Sequence, residues 1–308
     1  MHILININNK YSQHCCATLC SLFENNKNHK FHIHIFSFDI DSNNQNKIKN
    51  FVESYGNIVS FYILEDRDYT FPNIENSHIS REAYIRLFSI DYLPSNIDRI
   101  LYIDVDLLIL KDIEDLYTFE LNENIIGAIE DYPLEERYSR LNIKKEFGYF
   151  NSGVMIINIV EWRKNMITDK AIKHLNNCSI YLRHHDQDIL NILCNYKWVR
   201  IPFKWNILDI FFFDIEPYEE ELKNEIKRDI LNPYIIHFSG TIKPWKAWSP
   251  HPYYKYYYFY LSKTPWKGFK PSIKSQWYSY KFPRNILTIL KLDRTLVHIK
   301  KKIKKLLE

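Results

Sequence analysis

Short apolar runs alternate with helix-length segments from the first residues of the chain onward. HILININ has the length and alternation of a strand, and NNKYSQHCCATLCSLFENN is long enough for a helix. FHIHIFSFD, QNKIKNFVESYG and NIVSFYIL continue the series as strand, helix and strand, with Gly56 closing the second helix. Parallel neighbours require a crossover connection and helices supply it, so this order predicts an α/β chain with a mostly parallel, doubly wound sheet. Ligands of such sheets collect beyond the carboxyl ends of the strands. Further along, IIGAIED and FNSGVMIIN are strand-like, and HHDQDILNILC opens a helix. ISREAYIRLFSIDYL has the spacing of a helix through Ala83, Leu87 and Ile90.

One strand of the series carries chemistry. RILYIDVDLLIL places Asp104 and Asp106 two residues apart inside an apolar run. Residues i and i+2 of a strand share a face, so the two carboxylates are expected side by side in a buried setting, where unpaired anions are costly. A divalent cation between them resolves that cost. His237, at the end of the apolar run YII, offers an imidazole nitrogen, or else is a buried histidine satisfied by its neighbours. Two hard carboxylates and one imidazole suit Mn²⁺ or Mg²⁺ bridging to a phosphate better than a closed zinc site. Lys243, six residues after His237 in HFSGTIKPW, is a phosphate partner within reach. The chain has only six glycines and neither G-x-G-x-x-G nor G-x-x-x-x-G-K-[ST], so no glycine-rich loop cradles that phosphate. Gly153 in FNSGV and Gly240 in HFSGT sit at strand ends beside polar residues, where close backbone approach to a ligand is expected.

The 308 residues are long enough for a sizeable core, and a content of 46% hydrophobic and 25% charged residues is that of a globular chain. No run reaches the roughly 20 apolar residues of a spanning helix, and MHILININNKYSQ lacks the pattern of a signal peptide; a cytoplasmic protein is expected. Five cysteines without a C-x-x-C pair are read as reduced packing residues. Charge is unevenly placed. Lys281 to Glu308 carries nine basic residues against two acidic ones, a net +7 in a chain of net +4, so residues 1–280 are net −3. An acidic body disfavours a polyanionic substrate, which argues against a metal-dependent nuclease and against any nucleic-acid partner.

Four motifs in this order and at these separations, YIDVDLLIL, FNSGVMIIN, HHDQDILN and HFSGTIKPW, resemble those of the family 8 retaining glycosyltransferases, in particular the bacterial lipooligosaccharide and lipopolysaccharide α-galactosyltransferases and glucosyltransferases. The resemblance spans residues 1–250. It implies a GT-A fold, a UDP-sugar donor (galactose or glucose), Mn²⁺ (or Mg²⁺) held by Asp104, Asp106 and His237, and Gly240 and Lys243 on the diphosphate. It further implies Tyr11 stacked on the uracil and Asn8 accepting from it, with Lys10 standing where asparagine is usual. Arg86, Asn151 and Asp186 match donor-sugar contacts, and Asp131 joins them, with Glu130 competing for that alignment. Each has a plainer alternative: a surface salt bridge for Arg86, a turn former for Asn151, a helix cap for Asp186. Gln187 falls where a group faces the sugar opposite the leaving group. As a poor nucleophile it favours same-face attack, and Asp188 is the alternative covalent candidate.

A boundary is expected near residue 250, separating the GT-A domain (1–250) from an aromatic and basic C-terminal region (251–308). In the latter, Ile286, Ile289, Leu290, Leu296, Ile299, Ile303, Leu306 and Leu307 recur at helical spacing among lysines. A basic amphipathic helix of this kind predicts attachment to anionic lipid at the inner face of the cytoplasmic membrane, with Trp266, Trp277, Tyr278 and Tyr280 as interfacial anchors. A lipid-linked saccharide acceptor of lipopolysaccharide or lipooligosaccharide follows as the expected partner. Two alternatives share the fold: a self-glucosylating, glycogenin-like protein using a tyrosine of YYKYYYFY, and a carbohydrate-binding protein without turnover.

Overall fold

The computed structural model describes residues 1–65, 81–176, 182–240, 243–246, 249 and 251–270. The predicted series opens the chain: β1 (His2–Asn6), α1 (Ser12–Asn25), β2 (His32–Ser37), α2 (Ser42–Ser54) and β3 (Ile58–Ile63). Asp41 caps α2 by accepting from the Asn44 amide at 2.7 Å. Then come β4 (Arg99–Ile103), β5 (Leu107–Ile109), α3 (Glu114–Tyr117), β6 (Ile126–Ala128), α4 (Glu135–Leu141), β7 (Val154–Asn158), α5 (Ile159–Lys164) and α6 (Ile167–Asn176). The remainder is α7 (His185–Cys194), β8 (Trp198–Arg200), β9 (Ile207–Leu208), α8 (Glu220–Leu231), β10 (Ile235–His237) and α9 (Tyr254–Leu261).

Among the described residues the main sheet runs β3-β2-β1-β4-β7-β6-β8, parallel except at β7, which is antiparallel to both its neighbours. β1 lies between β2 and β4, so the chain turns away from β1 in opposite directions and opens a crevice beyond the carboxyl ends of β1 and β4. A small second sheet, β5-β10-β9, contributes Leu208 and His237 to the lining of that crevice.

Two expectations are corrected. Asp104 and Asp106 do not stand side by side in a strand: β4 ends at Ile103, and both lie in the link to β5 in the other sheet. The link is pinned at each end, the Asp104 amide donating to the Gly153 carbonyl (2.8 Å) and the Phe238 amide to the Asp106 carbonyl (2.9 Å). Crossing between sheets turns the carboxylates out of the pleat and into the crevice. The segment around Arg86 forms 3-10 turns over Arg81–Leu87 and Ser89–Tyr92 rather than an α-helix. Arg86 Nε takes the Ala83 carbonyl at 3.1 Å, and the tighter winding turns its guanidinium into the same crevice.

The core lies on both faces of the main sheet, with Ile3, Ile5, Ile33 and Ile35 on one side and Leu4, Phe36, Tyr102 and Ile157 on the other. Cys15, Cys16, Cys20 and Cys194 are buried free thiols, as expected; Cys178 lies outside the described residues. α9 packs on α1, burying Tyr253, Tyr257, Tyr260 and Leu261 in the core. Trp266 also packs against that core. The basic helix expected from Pro283 onward, with Trp277, Tyr278 and Tyr280, lies outside the described residues. Among the described residues no helix is long and apolar enough to cross a membrane.

His14 ties α9 to α1. Its Nδ1 lies 2.6 Å from the Tyr257 hydroxyl and its ring stacks on Trp245 at 3.6 Å. Burial pushes its pKa from the ordinary 6.5 down to about 3. The folded chain therefore resists a proton that the unfolded chain accepts, and this contribution to stability is present above pH 6.5 and lost as the pH falls toward 3. Between pH 7 and pH 5 wild type is expected to lose about 2 kcal/mol more stability than His14→Phe, by urea unfolding at both pH values. Equal losses in the two proteins would show that His14 is not the group responsible.

Candidate active site

The crevice holds a cavity of about 690 Å³, a size suited to a small organic ligand. Asn8, Tyr11, Arg86, Asp104, Asp106, Asp131, Asn151, Asp186, Gln187, His237, Gly240 and Lys243 all line it. They come from seven separate segments of chain, and the sheet order is what gathers them.

At its floor Asp104, Asp106 and His237 bring one ligand atom each to within 4.8 Å of one another. His237 Nε2 lies 3.3 Å from Asp106 Oδ1 and 3.8 Å from Asp104 Oδ2. Its other nitrogen, Nδ1, donates to Asn206 Oδ1 at 3.0 Å, which aims Nε2 at the carboxylates. Asn206 in turn donates to Asn151 Oδ1 at 2.9 Å. Gly153 completes the cradle, since a β-carbon there would fall 2.2 Å from His237 Cε1 and 2.9 Å from Asp104 Oδ2. Two carboxylates, an imidazole and the space beside them fit a hard divalent cation. Lys243 Nζ pairs with Asp106 Oδ2 at 2.6 Å. Burial favours the neutral acid at Asp106, but Lys243 and His237 outweigh it and hold this carboxyl well below its usual range. Burial lowers the pKa of His237, but Asp106 and Asp104 outweigh burial and the nearby Lys243 and raise it.

Arg86 organises the next layer. Its guanidinium donates to Asp104 Oδ1 (2.9 Å), to the Ser152 carbonyl and hydroxyl (2.9 Å each) and to Asp186 Oδ2 (3.0 Å), and it lies over the Tyr102 ring at 4.5 Å. It is a buried clamp and not the surface salt bridge of the plainer reading. Burial pushes Asp186 up to about 7 against the pull of Arg86. Gln187 is held in one orientation, accepting from the Ser152 amide at 2.9 Å and donating to Asp131 Oδ2 at 2.7 Å. Asp131, not Glu130, faces the cavity; Glu130 borders a separate depression beside Trp198 and Tyr218.

Three predicted residues have contacts that the sequence did not suggest. Asn8 accepts from the Tyr11 amide at 3.1 Å, capping the turn that presents the Tyr11 ring. The Gly240 amide donates to Asp209 Oδ2 at 3.0 Å, so a carboxylate already sits on it. Asp188 does not line the cavity. It is 0% exposed and accepts from Arg140 Nη1 (2.9 Å), the Tyr149 hydroxyl (2.7 Å) and the amides of Arg183 (2.9 Å) and His184 (3.0 Å). Asp188 thus fixes the two amides that lead into α7, while Asp186 meets Arg86.

Sequence reasoning missed Asn206, Tyr102, Ser152 and Asp209. Tyr102, whose hydroxyl donates to Asp104 Oδ1 at 2.7 Å, could have been found as the residue two before Asp104, near the end of β4. Nothing in KWNIL marks Asn206, which acquires its role only when β9 pairs with β10.

Residues 2–249 match the description of glycosyl transferase family 8. The chain belongs to glycosyl transferase family 8. Among similar proteins, General stress protein A of Bacillus subtilis is 30% identical over 271 residues, covering 86% of this chain and 94% of its own. A lipopolysaccharide 1,2-glucosyltransferase of Escherichia coli is 26% identical over 309 residues, with 97% and 89% covered. A lipopolysaccharide 1,3-galactosyltransferase of Salmonella typhimurium is 27% identical over 265 residues, with 82% and 75% covered. The solved structure of galactosyltransferase LgtC in complex with donor and acceptor sugar analogs superposes with a TM-score of 0.77 at 22% identity, over 87% of this chain and 99% of that one. The family 8 chain thus has the GT-A fold that its motifs implied.

Proposed function

We propose that this family 8 glycosyltransferase moves a hexose, galactose or glucose, from a UDP-sugar to a saccharide acceptor of lipopolysaccharide or lipooligosaccharide, with retention at the anomeric carbon. The observation that carries the reading is the convergence of Asp104, Asp106, His237 and Lys243 on one cavity at the β1/β4 crevice. A divalent cation, Mn²⁺ or Mg²⁺, bound at Asp104, Asp106 and His237 would neutralise charge on the departing UDP. Lys243, whose ammonium lies at Asp106 Oδ2 (2.6 Å) on the cavity wall, would supply a positive charge to the diphosphate. Tyr11 provides the face for the uracil, and Arg86 keeps Asp104 and Asp186 in register with the sugar.

Gln187, aimed by Ser152 and Asp131, presents an amide dipole to the sugar ring. An amide is a poor nucleophile, so attack by the acceptor hydroxyl from the leaving-group side is favoured over a covalent intermediate. The acceptor class rests on the lipopolysaccharide transferases among the relatives. For the self-glucosylating alternative, Tyr253, Tyr257 and Tyr260 are buried packing residues, which leaves the partly exposed Tyr254, Tyr256 and Tyr258 as its acceptors. The C-terminal basic segment remains proposed as the membrane attachment, placing the enzyme at the inner face of the cytoplasmic membrane.

The test is release of UDP from UDP-galactose, UDP-glucose and their N-acetyl forms, each with Mn²⁺ or with EDTA. Cation-dependent turnover of one hexose donor is expected. Absence of turnover together with absence of cation-dependent UDP binding would overturn the reading.

A further inference from the structure

A second group of metal-binding side chains lies at the other end of the main sheet. His2 on β1 and His32 and His34 on β2 project from one face of the parallel pair, whose register sets His2 against His32. The three rings bring one nitrogen each to within 4.8 Å of one another. His2 Nδ1 and His34 Nε2 are 3.0 Å apart, and the His32 and His34 rings stack at 4.2 Å. Two of the rings are anchored from behind, His34 Nδ1 at 3.1 Å from the Tyr62 hydroxyl and His32 Nε2 at 2.8 Å from Ser60 Oγ, both on β3. His2 and His32 are partly exposed, so the cluster is open to solvent, whereas His34 is buried. His2 starts the strand whose far end leads to Asn8 and the cavity, roughly 13 Å away along β1 at about 3.3 Å per residue.

We propose that His2, His32 and His34 form a binding site for an imidazole-preferring divalent transition ion of the Zn²⁺ or Ni²⁺ class, distinct from the cavity site. Three neutral imidazoles without a carboxylate discriminate against Mn²⁺ and Mg²⁺ and favour the later first-row ions. Burial lowers the pKa of all three, His34 to about 3, so the rings are unprotonated at neutral pH. Binding then needs a change of tautomer and no net loss of protons. With the ion on Nε2, the proton of His34 resides on Nδ1 and is donated to Tyr62, the outer contact that orients ligating histidines. The ion would join β1 to β2 and stabilise the native sheet.

The test is Zn²⁺ titration of the Asp104→Asn/Asp106→Asn protein, in which the two cavity carboxylates are neutralised, followed by calorimetry and by thermal melting. One site and a rise of several degrees in melting temperature are expected. His32→Gln and His2→Gln, each in that background, are expected to weaken Zn²⁺ at least about 100-fold while keeping the melting profile without added ion. Either variant suffices if the other fails to fold, and if the double-Asn protein does, wild type is titrated instead, with each histidine variant expected to remove one Zn²⁺ site and leave the cavity site in place. Zn²⁺ uptake that neither histidine variant alters, or no uptake at all, would overturn the proposal. Because neither readout involves a sugar donor, failure here leaves the reading of the cavity untouched.

Discussion

Asp106→Asn is expected to lower hexose transfer by about 10³-fold, the loss that several kcal/mol of transition-state charge stabilisation represents. Asparagine keeps the size of the side chain but removes the anion that Lys243 (2.6 Å) and His237 (3.3 Å) both face. EDTA is expected to bring wild type to a similar level, and the two losses should not add, because both act on the same donor set. Direct binding of UDP should weaken in parallel. Near-normal turnover in Asp106→Asn, or in EDTA, would separate the carboxylate pair from the chemistry.

The second large effect concerns the two neighbours Gln187 and Asp188, which the sequence offered together as catalytic candidates and whose surroundings differ. Asp188→Ala removes, in a fully buried position, the acceptor shared by Arg140, Tyr149 and two backbone amides. A cost of about 3–5 kcal/mol is expected, a fall of roughly 10 °C in melting temperature for a chain of this size. Gln187→Ala is expected to lose transfer with little change in melting temperature, because its partners Ser152 and Asp131 lie against the cavity. Asp188→Asn decides the chemistry. If Asp188 were a covalent nucleophile, this variant would abolish turnover at an unchanged melting temperature; the expected result is that activity declines only in step with stability. Burial favours the neutral acid at Asp188, but Arg140, the His184 amide and Tyr149 hold its pKa below the usual value. That environment suits a structural anion.

Strand–helix alternation over residues 2–63, and the ordered motifs around Asp104, Asn151, Gln187 and His237, were enough to determine the α/β class and to name many of the cavity's lining residues, though not Tyr102, Ser152 or Asp209, and Asp188 was offered but does not line it. Hydrophobic period and residue chemistry are local properties, and they survive in a linear reading. What each side chain does was decided by the tertiary structure. Asp104 and Asp106 converge because the chain changes sheets between them and β5, not because a strand pleat aligns them. Asn206 orients His237 only through the pairing of β9 with β10. Asp186 and Asp188, two residues apart on α7, part company because one meets Arg86 at the cavity wall and the other meets Arg140 and Tyr149 beneath it. Burial and partner identity depend on residues tens to hundreds of positions away, and the same carboxylate is a ligand, a clamp or a cap according to what the fold places beside it.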